Sequence, residues 1–295
     1  MNWDDLRIFL SVAREESLSG AARVLRLDPA TVGRRIARLE EELDTVLFAK
    51  SPQGYVTTSS GERLLTRAET AEDAISGALG EARGQNDGLT GTIRVGAPDG
   101  CATYLLPQVT NAIQAANPGL SVQIVALPRV FNLSKREADM AIAVSRPRTG
   151  RVRIQKISDY RLCLAASHEY LAAEGAIESR KELKDKRIVG YIPDMIFDRE
   201  LDYLAEIGLE SVELASNLVS VQVGWLKAGA GVGVVHEFAL PDAPELTPVL
   251  RNEIHLNRAF WLVRHADDAR IERLNRFAKA LTEGLRAEIA RRSAT

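Results

Sequence analysis

The stretch DPATVGRRIARLEEEL, residues 28–43, constrains the fold more than any other in the chain. Asp28 is a good helix N-cap, and Pro29 fits the first helical position, where its missing N–H had no partner to lose. Val32, Ile36, Leu39 and Leu43 then recur at i, i+4, i+7 and i+11, which is one apolar helix face. The opposite face carries Thr31, Arg34, Arg35 and Arg38, with Glu41 and Glu42 spaced to pair with Arg38. A short helix precedes this one in ESLSGAARVLRL, with Ser19 as the expected cap and Ala21, Ala22, Val24 and Leu25 as its packing surface. Two short helices, a tight turn and small alanines at the crossing predict a helix-turn-helix. Its second helix would turn N-terminal residues toward base edges in the major groove. A further helix from Trp3 to Arg14 supplies Leu6, Phe9, Leu10 and Ala13 as a third packing face.

Overall charge gives no support to a nucleic-acid reading. The 38 basic and 40 acidic side chains leave a formal net charge of −2. The case for DNA therefore rests on the local arginine stripe, against the plainer alternative of a solvated helix face. At 295 residues the chain is longer than one ordinary domain, and 45% hydrophobic and 26% charged residues are normal for a globular protein. No window reaches the roughly 18 uninterrupted apolar residues of a membrane span. The opening MNWDDLRIFL has two acids before any base, unlike a secretory signal. Two cysteines, Cys101 and Cys163, are too few for a disulfide framework. These features lead to the expectation of a cytoplasmic protein with no membrane partner.

From Phe9 to Gly61 the chain resembles the N-terminal domain of LysR-type transcriptional regulators. The residues that carry the resemblance are Ala21, Ala22, Val32, Ile36, Leu39, Glu40, Leu47, Phe48, Gly54, Thr58 and Gly61. The resemblance implies a winged helix-turn-helix and double-stranded operator DNA as partner. Three positions depart from the family pattern: Asp28-Pro29 replaces Ser-Gln, Gly33 replaces Ser, and Lys50 replaces the wing Arg. The departures shift the expected base contacts to Thr31, Arg34 and Arg35, with Arg38 on the same face. Lys50, Gln53 and Tyr55 on the wing are expected to touch the backbone or minor groove.

Residues 59–85 read as one long helix with a seam of Leu64, Leu65, Ala68, Ala71, Ala74, Ile75, Ala78, Leu79 and Ala82. Such a seam needs a partner, so the helix reads as a dimerising linker, and the resemblance implies the same. NDGLTG breaks the chain before Thr92. Short apolar runs then alternate with helical stretches, which predicts α/β architecture with a parallel sheet. Helices are expected from Leu105 to Ala116, Phe131 to Ala138, Asp198 to Ile207, Asn217 to Ala228 and Asp267 to Arg291.

The expected fold class is thus mixed. An N-terminal all-α winged helix-turn-helix would occupy residues 1–58 and a linker helix 59–87. A two-lobed α/β periplasmic-binding-protein-like domain would fill 88–295, with lobe one about 91–161 plus 266–295 and lobe two about 162–265. The resemblance implies this plan too, along with a homotetramer built as a dimer of dimers.

Ligands of open α/β sheets bind beyond the carboxyl ends of the strands. That places a small-molecule effector near Asp99, Cys101, Thr103, Arg129, Arg146, Asn217, Ser220 and His236. AGAGVG, residues 228–233, lies between a helix and a strand, the reverse of a dinucleotide turn, so no cofactor is expected. His168, His236, His255 and His265 are scattered without a second ligand at metal spacing, and no catalytic constellation stands out. His236 reads as a rim residue. Cys101 follows a strand at a helix start, where a thiol pKa can fall, so a redox-responsive regulator is an alternative. A solute-binding protein or an α/β enzyme are rivals opposed by Arg34, Arg35 and the lack of catalytic groups.

Overall fold

The computed structural model describes residues 2–51, 54–82, 88–126, 138–147, 149–209, 211–266, 268 and 271–293, without the side chains of 50, 51, 66, 70, 73, 74 and 76–82. The chain forms two compact units, Met1–Asp87 and Gly88–Thr295.

The first unit contains α1 (Trp3–Glu15), α2 (Leu18–Leu25), α3 (Pro29–Glu42), the hairpin strands β1 (Phe48–Ser51) and β2 (Gly54–Thr57), and α4 (Ser59–Ala82). Asp28 caps α3 by accepting the Thr31 N–H at 3.2 Å, as expected. The cap of α2 is Ser17, which accepts the Gly20 N–H at 3.2 Å, rather than Ser19, which is exposed inside the helix. Phe9, Ala21, Ala22, Val32, Ile36, Leu39, Leu47 and Phe48 share one core. Val24 and Leu43 do not join it and stand exposed.

Backbone bonds explain two parts of the motif. The Glu40 carboxylate accepts the N–H groups of Leu47 and Phe48 at 2.6 and 3.1 Å, which fixes the entry into β1. Thr58 Oγ1 donates to the Val46 carbonyl and accepts the Gly61 N–H at 3.0 Å. A Cβ on Gly61 would lie 2.2 Å from the Leu47 carbonyl oxygen, so only glycine fits there. Leu64, Leu65 and Ala68 of α4 pack against this same core, so the first part of the seam is used within the subunit.

The second unit holds β3 (Gly91–Ala97), α5 (Asp99–Tyr104), α6 (Leu106–Ala115), β4 (Leu120–Ala126), β5 (Met140–Ala143), β6 (Val152–Ser167), α7 (His168–Glu174), β7 (Ile188–Gly190), α8 (Tyr203–Ile207), β8 (Leu214–Ala215), α9 (Val219–Lys227), β9 (Val232–His236), β10 (Leu246–Val249), β11 (Leu256–His265) and α10 (Glu272–Ser293). The sheet runs β4-β3-β5-β11-β6-β9-β7-β8, with β10 added to β6. It is mixed rather than purely parallel: β3 pairs parallel with β4 and β5, but β11 and β6 run antiparallel to their neighbours.

β6 is a single strand of 16 residues, so the expected lobe boundary at 161/162 falls inside it. Its first part pairs with β11 from Val152↔His265 to Leu162↔Leu256, and its last part pairs with β9 and β10. The helix expected from Leu105 to Ala116 begins earlier and breaks at Leu105 into α5 and α6, and Asp198–Ile207 splits into a 3-10 turn and α8. The helix expected from Phe131 falls outside the described residues. In AGAGVG, Gly229 is left-handed at φ +73, and the Gly229 and Ala230 N–H groups donate to the Leu226 and Trp225 carbonyls. That is a Schellman C-cap ending α9.

Candidate DNA-binding surface and effector cleft

On α3, Arg34 is exposed and its Nη2 donates to Thr31 Oγ1 at 3.1 Å. Its neighbours are placed differently. Arg35 reaches back to α1, pairing with Asp4 and Asp5 at 2.5 Å each, and Arg38 pairs with the other Asp5 oxygen at 2.5 Å. Asp5 is buried, with only 1% of its surface exposed. Burial alone would raise its pKa, but the Arg38 and Arg35 guanidinium groups outweigh it and hold the carboxyl below its ordinary range. Arg35 and Arg38 therefore brace α3 against α1, a role beyond the DNA contact expected of them. The paired acids Asp4 and Asp5 at the start of α1 were the available signal for this.

On the wing, Tyr55 sets its ring edge-on against Phe48, and its N–H donates to the Glu16 carbonyl, so its body serves the core. Gln53 and the Lys50 side chain lie outside the described residues.

In the second unit, the residues just after β3 and β5 bond to residues between β7 and α9. Asp99 makes the first of these contacts. Its Oδ2 accepts the Ser220 N–H at 2.8 Å, at the start of α9. The Ser220 and Thr103 hydroxyls both lie 3.4 Å from Asp99 Oδ1. A second bridge joins Ser145 Oγ to Asp198 Oδ2 at 2.5 Å. Asn217 is half-buried just before α9, and Arg146 is exposed beside Ser145. Arg129 lies outside the described residues.

His236 is not on the rim. It is buried, its ring stacks on Tyr160 at 5.5 Å, and it lies against Phe238 at 4.7 Å. A Cβ on Gly100 would come 3.0 Å from the His236 ring, so the glycine lets the two elements meet. Burial lowers the His236 pKa to about 3, which keeps the imidazole neutral. Among the described residues its Nδ1 finds no hydrogen-bond partner. No sequence motif announces Tyr160 and Tyr203; only the fold gathers them with Tyr191 in one cluster.

Cys101 is fully buried, and burial pushes its thiol well above the ordinary range. The Cys163 thiol is pushed up to about 12 for the same reason. Thiolate chemistry needs the opposite shift, so neither cysteine supports the redox alternative. Beside the cleft, a cavity of about 410 Å³ in the second lobe is lined by Tyr191, Leu201, Tyr203, Leu204, Val234 and Gln222 among others. Among the described residues no cluster of potential metal ligands forms, and no helix is long and apolar enough to cross a membrane.

Comparison with known proteins agrees with this geometry. Residues 3–62 match the family described as bacterial regulatory helix-turn-helix protein, lysR family, and residues 86–286 match the LysR substrate binding domain. The HTH-type transcriptional regulator DgdR of Burkholderia cepacia is 35% identical over 150 residues, covering 50% of each chain. PtxR of Pseudomonas aeruginosa is 25% identical over 243 residues, covering 81% of this chain and 77% of PtxR. The chain thus spans about half the length of the first of these relatives. The structure of CrgA, a LysR-type transcriptional regulator from Neisseria meningitidis, aligns over 97% of this chain and 99% of CrgA at TM-score 0.60 and 22% identity. A full-length variant of OxyR from Pseudomonas aeruginosa aligns over 97% of this chain and 95% of its own at TM-score 0.67 and 18% identity. These structures share the fold. With its helix-turn-helix and substrate binding matches together accounting for most of its residues, the chain belongs to the LysR family of bacterial regulators.

Proposed function

We propose that the protein is a transcription regulator whose operator binding responds to a small molecule held between the two lobes of its second unit. The carrying observation is the division of labour on α3, where Arg34 and Thr31 face outward while Arg35 and Arg38 are held by Asp4 and Asp5. An exposed arginine near the N-terminus of the second helix of a helix-turn-helix is placed to read a guanine. Lys50, Gln53 and Tyr55 would contact the backbone from the wing.

In the cleft, Asp99, Thr103, Asn217 and Ser220 would meet the effector, with Cys101 and His236 as buried supports; Arg146, and Arg129 outside the described residues, are the cations expected to serve the same site. The Asp99 carboxylate already occupies the N-terminus of α9, a position that favours anions. The reading is therefore an uncharged or cationic effector. A homodimer through the distal half of α4, doubled into a tetramer, would set two winged domains on two half-sites.

Gel-shift titration with the DNA upstream of the protein's own gene tests the first part. Saturable, sequence-dependent binding is expected, and equal affinity for unrelated DNA would overturn it. Light scattering at micromolar concentration tests assembly: a monomer would refute it.

A further inference from the structure

Arg153 on β6 and Arg264 on β11 sit directly opposite each other in antiparallel register. Like charges facing each other across a strand pair destabilise a sheet. Here the pair forms part of the wall of a cavity of about 350 Å³ between these strands and α10, which contributes Lys279 and Arg286. Gln155 adds a neutral polar group, and Glu283 is the one carboxylate in the lining among the described residues.

The positive charge is only partly compensated. Arg264 is only 9% exposed, yet its Nη1 donates to neutral acceptors, the Leu274 carbonyl at 3.3 Å and Asn275 Oδ1 at 2.9 Å. Arg286 likewise donates to the carbonyls of Ile157 and Lys156 at 2.7 and 3.1 Å. Among the described residues none of the four cations forms an ion pair with a carboxylate. Burial first, and the Arg153 charge second, lower the Arg264 pKa, against an opposing pull from Asp268. Guanidinium groups brought together in this way are complementary to a multivalent oxyanion, which accepts two parallel N–H bonds from each.

We propose that this cavity is a binding site for a small phosphorylated compound. It is separate from the interlobe cleft: Arg264 pairs with Met140 at the opening of β5, whereas the cleft lies past the closing residue Ala143. The volume leaves room for an organic body beyond the phosphate. The hydrophilic lining matches a hydroxylated body rather than an apolar one.

Calorimetric titration of the full chain with inorganic phosphate, glucose 6-phosphate, glucose and citrate tests this. Saturable binding is expected for glucose 6-phosphate and not for glucose. Arg153→Gln and Lys279→Gln should each weaken it about tenfold, the equivalent of about 1.4 kcal/mol. Both positions are exposed, so the variants should keep the wild-type melting temperature. Glu283→Gln removes the opposing charge and should tighten binding severalfold, a gain that a folding defect cannot mimic. No saturation by either phosphate compound up to about 10 mM, well past a millimolar Kd, would overturn the site. Unchanged affinity in all three variants, or citrate binding as tight as glucose 6-phosphate, would overturn it equally.

Discussion

The Asp99 carboxylate of the first lobe accepts the Ser220 N–H of the second at 2.8 Å, so the protein supplies its own anion to the N-terminus of α9. An incoming carboxylate would compete with it and be repelled. Replacing Asp99 by Ser removes the charge and puts a hydroxyl in its place. Asp99→Ser is expected to bind simple carboxylates more tightly than wild type in calorimetric titration, while wild type favours amines or neutral compounds. Equal carboxylate affinity in the two proteins would refute the repulsion.

Arg34 and Asp5 should separate recognition from stability. Arg34→Ala is expected to leave the melting temperature unchanged and to weaken operator binding by about 1–3 kcal/mol, with relaxed specificity at one base pair. Asp5→Ala leaves Arg35 and Arg38 without their shared carboxylate and should destabilise the first unit by about 1–3 kcal/mol. Urea unfolding and gel shifts on the two variants check this; a stability loss in Arg34→Ala would contradict the assignment.

His236 predicts a pH dependence. The folded imidazole titrates near 3 and the unfolded one near 6.5. Between these values the unfolded chain holds a proton that the folded one does not. The stability linked to His236 is therefore complete above about pH 6.5 and declines as pH falls, at up to about 1.4 kcal/mol per unit. Urea midpoints for wild type should drop between pH 7 and 5, and His236→Gln should flatten that slope. Identical slopes would show that the histidine is protonated without cost.

Two glycines should respond in opposite directions to alanine. A Cβ on Gly231 would lie 2.3 Å from the Arg187 carbonyl oxygen, where β9 meets β7, so Gly231→Ala should cost about 1–3 kcal/mol or more. A Cβ on Gly33 would meet only Leu18 Cδ1 at 3.4 Å, so Gly33→Ala in mid-α3 should gain about 0.5–1 kcal/mol. Thermal melts of both variants decide the matter.

Local signals were legible where one element contains both halves of an interaction. The Asp28 cap, the apolar face through Leu39 and the strand VGVVH could all be read from spacing alone. Partners distant in sequence were not. Asp4 and Asp5 pair with arginines about thirty positions away, a bracing role that spacing along α3 does not reveal. The burial of His236 depends on Tyr160 and Phe238 from other segments, and the antiparallel course of β6 and β11 depends on pairing that alternation does not encode. Ser17 displaced Ser19 as a cap because the helix starts two residues earlier than its alanines suggest.

The pairing of β5 with β11 has a consequence for the order in which the protein is made. The first lobe begins to leave the ribosome well before the second, yet its sheet lacks β11 and its core lacks α10 until residues 256–293 are translated. Ile93, Val95 and Met140 must wait for Leu262, Phe277 and Leu281. Nascent chains of this protein therefore carry an unfinished apolar surface through most of the synthesis of the second unit, and a chain cut short before β11 is expected to be a chaperone substrate rather than a half-folded, stable fragment.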